Sequence, residues 1–272
     1  MTTPTPCLII YRDESDDIDF SGGGWSTTEP LTNMQDPRPS LTARSLNTTA
    51  TNTKFFADFS AAIAVPAVVL VGTNLDRNAT YIITAYSDAG HTTPTFTTGS
   101  RAAWTASGAI EDWDLKGLDV VALFGQTVTA RYWKIELINT ANTNAYLEIS
   151  RLHFGTQLAL TYGMAAGSNF KRDPNTIVTR ALGGTPYFNK HRNIRSWTIS
   201  LPPESTTVAW DQIDRMIESC GLDRFVYVVA FPDDTDRTHQ QSFLGTLGTV
   251  NDLSFIAGNY VSTGFQIVEY VG

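Results

Sequence analysis

The sequence predicts an all-β-dominated protein in two parts, a β-sandwich over residues 5–156 followed by a smaller β-rich domain with one helix over 157–272. Three observations carry this reading. Apolar residues alternate with period two in runs rich in Val, Ile, Tyr and Phe, with turn residues between the runs. Helical spacing of apolar residues is convincing in one place, about 206–220. A length of 272 residues allows one large core or two modest ones.

The elements follow in order. CLIIYRD at 7–13 reads as a strand, and the sequence leaves open whether it pairs within the sandwich or with the second domain. GGGW at 22–25 reads as a strained turn opening a long loop to Arg44-Ser45. Ala67–Gly72, a continuous apolar run after Pro66, is expected of a strand covered on both faces. In the next strand Tyr81, Ile83 and Ala85 share one face, and Ile82, Thr84 and Tyr86 the other. Trp133, Ile135 and Leu137 point to the core while Lys134 and Glu136 point out, and Leu147, Ile149 and Leu152 close the sheet. Trp25 is also assigned to the core.

Residues 89–128 read as irregular, with two exposed-type tryptophans, Trp104 and Trp113. Long loops of this kind carry function or dock on something. After Gly155 a transition leads through Asp173-Pro174 and Gly183-Gly184 to a strand, Arg195–Leu201, which stops at Pro202-Pro203. Thr206 or Thr207 caps the helix, Trp210, Ile213, Met216 and Ile217 recur at its spacing, and Cys220-Gly221 ends it. Strands return at Phe225–Phe231, about Gln241–Leu247 and Ser262–Tyr270, with a mobile or interface tip at 232–240.

Composition bounds the function. Hydrophobic content of 42% and charged content of 17% describe a globular chain. The net charge of −8, from 27 acidic and 19 basic side chains, removes the electrostatic term on which nucleic-acid binding rests. Cys7 and Cys220 read as two buried free thiols, as suits reducing cytoplasmic synthesis. No apolar run approaches the roughly 20 residues of a membrane span, and MTTPTPC is not a secretory signal. The expectation is a soluble product made in a cytoplasm.

A catalytic constellation is not legible. His91, His153, His191 and His239 lack the partner spacing of a metal site, and no Gly-x-Ser-x-Gly elbow, P-loop or Cys-x-x-Cys occurs. The acidic runs 13–19 and 233–236 read as solvated turns rather than Ca²⁺ loops, so neither metal nor cofactor is expected. A sugar site needs an aromatic platform beside polar side chains. Arg101, Trp104, Glu111, Asp112 and Trp113 lie close enough in sequence to supply one, or to form a protein contact, with Trp113 as a pin holding the loop.

The linear order of these pieces resembles the galactose-binding-like (discoidin-type) jelly roll, in the version carried by tail proteins of tailed bacteriophages. It runs from CLIIYRD through the Trp25 loop with NMQDPR (33–38) and ARS (43–45), FFADFS, GTNL, ATYIITAYSD and ARYWKIELI to LHFG. The helix and the closing FQIVEYV resemble the C-terminal half of such proteins. The resemblance implies a structural component of a long-tailed tail tip or baseplate, not an enzyme. Such a part is made in the host cytoplasm, resides in the virion tail, and packs in a homo-oligomeric ring against other tail proteins. The alternative it leaves is a carbohydrate-binding module reading host surface polysaccharide. Two residues of this grammar have mechanical roles on the same reading: Arg44 bridges backbone carbonyls with its planar fork, and Asn74 satisfies backbone groups at a strand end through an Asx-type turn.

Overall fold

A computed structural model of the chain describes residues 7–104, 118–158, 160, 162–189 and 191–271. It is all-β-dominated, with a sandwich first and a β-rich part second that bears a helical run at Thr206–Cys220 and a shorter one at Thr235–Gln241. The first strand is β1 (Leu8–Asp13). The sandwich uses β2 (Asp19–Ser21), β3 (Ala43–Arg44), β4 (Lys54–Thr73), β5 (Thr80–Tyr86), β6 (Pro94–Thr97), β7 (Arg101–Ala102), β8 (Leu118–Ile138) and β9 (Glu148–His153). Then come β10 (Gly155–Gln157), β11 (Asn169–Asp173), β12 (Ile177–Arg180), β13 (Pro186–Asn189), β14 (Ile194–Ser200) and β15 (Glu204–Ser205). After the helical run, β16 (Phe225–Val229), β17 (Ser242–Val250), β18 (Ser254–Ala257), β19 (Tyr260–Ser262) and β20 (Gly264–Glu269) complete the chain.

Two long strands make the sandwich. Lys54–Asp58 of β4 pairs with Tyr132–Glu136 of β8, flanked by β2 and β5, to form one layer. Ala67–Thr73 pairs with Leu118–Leu123, flanked by β9 and β3, to form the other. Register shifts at Asp58/Ile63 and Val65/Ala67 carry the pair from layer to layer, as β-bulges do. Trp133, Ile135, Leu137, Leu147, Ile149 and Leu152 are fully buried between them, with Phe55, Leu70 and Phe154. Trp25 is half-buried against this core, its ring edge-on to Phe55 and its indole N–H donating to Lys54 O at 3.1 Å. At Gly23, with φ +71°, a Cβ would lie 2.0 Å from Lys54 O, which explains the glycine run before it.

The expectation of irregular structure over 89–128 is corrected at both ends of that stretch. β6 and β7 occupy part of it, and β8 begins at Leu118. The first half of β8 escapes a period-two reading because its run Val120–Leu123 meets apolar surface on both sides.

β1 answers the question left open by the sequence. It pairs with β16 at Leu8↔Val229 and with β10 at Ile10↔Gln157, inside a seven-stranded antiparallel sheet ordered β10-β1-β16-β17-β20-β14-β11. One face of that sheet buries Ile9, Val226, Val228, Phe243 and Ile267 under the helical run. The other packs Ile10, Tyr227 and Leu244 against Ala67, Val69 and Val71 of the sandwich. Ala67–Val71 is therefore covered on both faces because a third β-layer lies outside the sandwich.

The helical run differs from expectation in its details. Ser205, not Thr206 or Thr207, is the cap, accepting from Val208 N at 3.3 Å. A π-helical segment, Ala209–Asp214, separates the α-helical turns Thr206–Val208 and Arg215–Cys220. It shifts the apolar stripe, so Ile213 and Met216 are buried while Trp210 stays about half exposed. Gly221, at φ +52°, ends the run. Among the described residues no helix is long and apolar enough to cross a membrane.

Three polar assignments are refined. Arg44 pairs with carboxylates rather than carbonyls: Glu148 at 2.5 Å and Glu29 at 2.9 Å, with its guanidinium over the Tyr146 ring. Asn74 does satisfy backbone groups, but across strands, accepting from Glu148 N at 2.8 Å and donating to Tyr146 O at 3.0 Å. Asp13 is not part of a solvated turn. It is buried in an ion pair with Arg151. The NMQDPR segment sets loop geometry, with Gln35 Nε2 donating to the carbonyls of Ser15, Asp16 and Ile18.

Candidate functional site

Where the sandwich meets the seven-stranded sheet, a cleft of about 280 Å³ opens. Tyr81, Arg101, Trp104, Asp119, Thr238 and His239 line it. Two elements of the sandwich set its near wall. β7 pairs with β5 so that Arg101 lies opposite Tyr81, and β8 enters beside them at Asp119. Arg101 is exposed and donates from Nη1 to Leu123 O at 3.0 Å. Trp104 is buried, its indole N–H donating to Asp76 O at 2.8 Å. That bond fixes the ring as a wall of the cleft.

Asp119 sits in an otherwise apolar run, Leu118–Phe124, at the start of β8. Its Oδ1 accepts from Gly72 N at 3.1 Å, and its Oδ2 lies 3.1 Å from the Tyr227 hydroxyl. Burial pushes the carboxyl up from its usual range, against the opposing pull of Arg195 and the Gly72 N–H. The Tyr227 hydroxyl is pushed well above its usual range by burial and then by the Asp119 charge. It also lies 3.3 Å from Ser242 Oγ, and Ser242 Oγ donates to Thr238 O.

The far wall is a short helical segment, a 3-10 turn Thr235–Arg237 and one α-helical turn Thr238–Gln241, in the stretch 232–240 read from sequence as a mobile or interface tip. Arg195 supports it from below: its Nη1 donates to His239 O and Ser242 O at 3.0 Å each, while its Nη2 pairs with Glu269 at 2.5 Å. Trp197 Nε1 donates to Gln241 O at 3.1 Å. Buried groups thus place Thr238 and His239 at the cleft from the other sheet.

Of the sequence candidates, Arg101 and Trp104 come together here. Glu111, Asp112 and Trp113 lie outside the described residues. Asp119 and His239 were missed. A lone carboxylate in the apolar run LDVV was a legible signal for the first, because a charge in such a strand needs partners. No signal pointed to His239, which is brought in from the second part by the packing of two sheets. Among the described residues no three His, Cys, Asp or Glu side chains gather as a metal ion would require.

A second surface stands apart from the cleft. β12 and β13 form a two-stranded hairpin with Val178 opposite Phe188 and Thr179 opposite Tyr187. Ile177, Val178, Leu182, Tyr187 and Phe188 are each more than half exposed. Hairpins of two strands are marginal in water unless something packs on them. Elsewhere Trp210, Phe255, Ile256 and Tyr260 form another exposed apolar group, with Trp210 and Phe255 ring centroids 6.4 Å apart.

No family model matches the sequence, and no curated protein matches it. Among solved structures, the CBM32-1 module of a family 31 glycoside hydrolase from Clostridium perfringens is 18% identical, with a TM-score of 0.39 over 54% of this chain and 99% of that one. The family 32 CBM of Clostridium perfringens NanJ, solved in complex with galactose, is 14% identical, with a TM-score of 0.38 over 54% and 98%. A Streptococcus pneumoniae fucose binding module is 10% identical, with a TM-score of 0.39 over 53% and 95%. At these values the likeness assigns neither ligand nor activity to this chain.

Proposed function

We propose that the chain is an assembly subunit that works by docking against copies of itself and neighbouring proteins. The observation that carries this is the hairpin 177–189, which presents large apolar side chains and, among the described residues, pairs with no third strand and joins no core cluster. Its finer form is a component of a long-tailed phage tail tip or baseplate, made in the host cytoplasm and arranged as a ring in the virion. The strand order of the sequence supports that form. Heterologous contacts that close into a ring need two different patches on each copy. The hairpin and the group around Trp210 and Phe255 supply such a pair.

Light scattering on the eluting full chain tests the proposal. The expected result is a closed oligomer, reduced to monomer by Tyr187→Glu with Phe188→Glu at unchanged melting temperature. A wild-type chain that is monomeric at every concentration would overturn it.

The cleft favours a second reading, that the chain binds carbohydrate. Guanidinium, carboxylate and aromatic walls converge there as sugar recognition requires. Retention of the full chain on host-derived surface polysaccharide tests it, and the absence of retention on any such glycan would remove it.

A further inference from the structure

We infer that the cleft between the sandwich and the seven-stranded sheet is a composite site for a single neutral sugar ring, whose hydroxyls are met by Asp119 on one side and Arg101 on the other. This rests on the carbohydrate reading and gives it a place and a chemistry. A carboxylate offers about four acceptor positions. Gly72 N–H and the Tyr227 hydroxyl each hold one oxygen of Asp119, and the group still borders the cleft. Acceptor capacity on both oxygens therefore remains for ligand hydroxyls.

Arg101 supplies the complementary donors. One of its five N–H groups is tethered to Leu123 O at 3.0 Å, which holds the guanidinium at the mouth without exhausting it. Hydroxyls around a sugar ring each donate and accept, so a carboxylate and a guanidinium at different points of the cleft can each satisfy some of them. The buried rings of Trp104 and Tyr81 border the cleft at their edges and make that wall apolar.

Charge and size exclude the rivals. Asp119 repels a phosphate or a carboxylate ligand, and Arg101 repels a simple cation. A volume of about 280 Å³ lies just below the usual range of ligand pockets, which run from roughly 300 Å³ upward, and suits one ring rather than a chain of them. The site is also divided between the two parts of the protein. Arg101, Trp104 and Asp119 come from the sandwich, and Thr238 and His239 from the turn carried by Arg195. Isolated sandwich would lack one wall.

The test uses the full chain with D-galactose, L-fucose, D-mannose and N-acetyl-D-glucosamine as probes, followed by saturation-transfer NMR and titration calorimetry. The expected result is binding of at least one sugar, weakened roughly tenfold or more by Arg101→Ala and by Asp119→Asn. Ala102→Trp, at an exposed residue lining the cleft, should abolish binding by filling it and covers the case in which Asp119→Asn does not fold. Binding that survives Arg101→Ala and Ala102→Trp overturns the site while the carbohydrate reading stands. Binding of inorganic phosphate that competes with the sugar would replace it with an anion site. If none of the four sugars binds, this site fails, while the broader reading is decided by the polysaccharide experiment.

Discussion

Arg151 Nη2 lies 2.8 Å from Asp13 Oδ2, and its Nε lies 3.1 Å from the same oxygen, although the residues are 138 positions apart in the chain. Asp13 ends β1 in the seven-stranded sheet and Arg151 belongs to β9 in the sandwich, so the pair ties the two sheets together. Both side chains are nearly sealed from water, at 7% and 4% exposure. Asp16 adds a second carboxylate to Arg151 at 2.7 Å, and His153 Nδ1 sits 3.0 Å from Asp13 Oδ2, close but off the line of a full hydrogen bond.

Removing one member of a buried pair leaves the other charge without compensation, at a typical cost of about 3–5 kcal/mol. Asp13→Ala should therefore lower stability by about 3 kcal/mol, near the low end because Asp16 remains. Asp13→Leu combined with Arg151→Met should cost less than Asp13→Ala alone. Urea unfolding of the three chains measures both differences.

The same pair sets an acid limit. Burial pushes the Asp13 carboxyl up, but the neighbouring His153 and Arg151 outweigh it and hold the group well below the usual carboxylate range. A pKa lower in the folded than in the unfolded chain means stability that is present above the unfolded value, about 3.9, and lost as pH falls through the folded one. Asp119, raised on folding, acts in the opposite direction. Urea midpoints should fall steeply below about pH 4 in the wild type and less steeply in Asp13→Asn. Equal slopes in the two chains would show that Asp13 is not the group responsible.

Both thiols should be inert in the native protein. Burial pushes Cys7 up to about 12 and also raises Cys220, so little thiolate forms at neutral pH. A colorimetric thiol reagent should titrate neither residue in buffer and both in denaturant. Rapid native reaction would mean that the region around Cys7 opens.

Deletion of residues 1–11 should abolish cooperative folding of the second part. It strips an internal strand, next to the edge, from between β10 and β16 and removes Ile9 and Ile10, both fully buried. Circular dichroism melts and dye binding to exposed apolar surface report the outcome, and an unchanged melting temperature would refute the pairing of β1.

Gly155 marks how closely two segments approach. A Cβ there would lie 2.5 Å from Tyr11 O and 2.8 Å from Ile10 Cγ2. Gly155→Ala should cost about 1–3 kcal/mol by overpacking. Gly183→Ala, where nothing lies within 4 Å, is the control and should be close to neutral in the same melts.

Much of the fold was legible in local pattern. The alternation that placed Trp133, Ile135 and Leu137 inward, and the Pro202-Pro203 stop, depend on residues a few positions apart. The hairpin 177–189 was not legible because its apolar residues are exposed and face no core among the described residues, so they give no buried stripe to read. Half of the candidate site was legible: Arg101 and Trp104 stood out by residue type, whereas His239 enters through the stacking of two sheets. Trp104 also reads differently in place, as a buried wall rather than an exposed platform, because Asp76 O lies within reach of its indole N–H.

By itself, then, the sequence determined an all-β-dominated chain, the inward faces of its main strands, the helical run at about 206–220 and the apolar segment covered on both sides, but not the short helical run Thr235–Gln241. Only the tertiary structure decided that β1 crosses to the second sheet, that Asp13 is buried on Arg151 rather than solvated, and that Asp119 and His239 face one cleft. Period-two alternation states which side chains share a face, but hydrogen-bond partners and charge pairs between strands are chosen by packing between residues far apart in the chain.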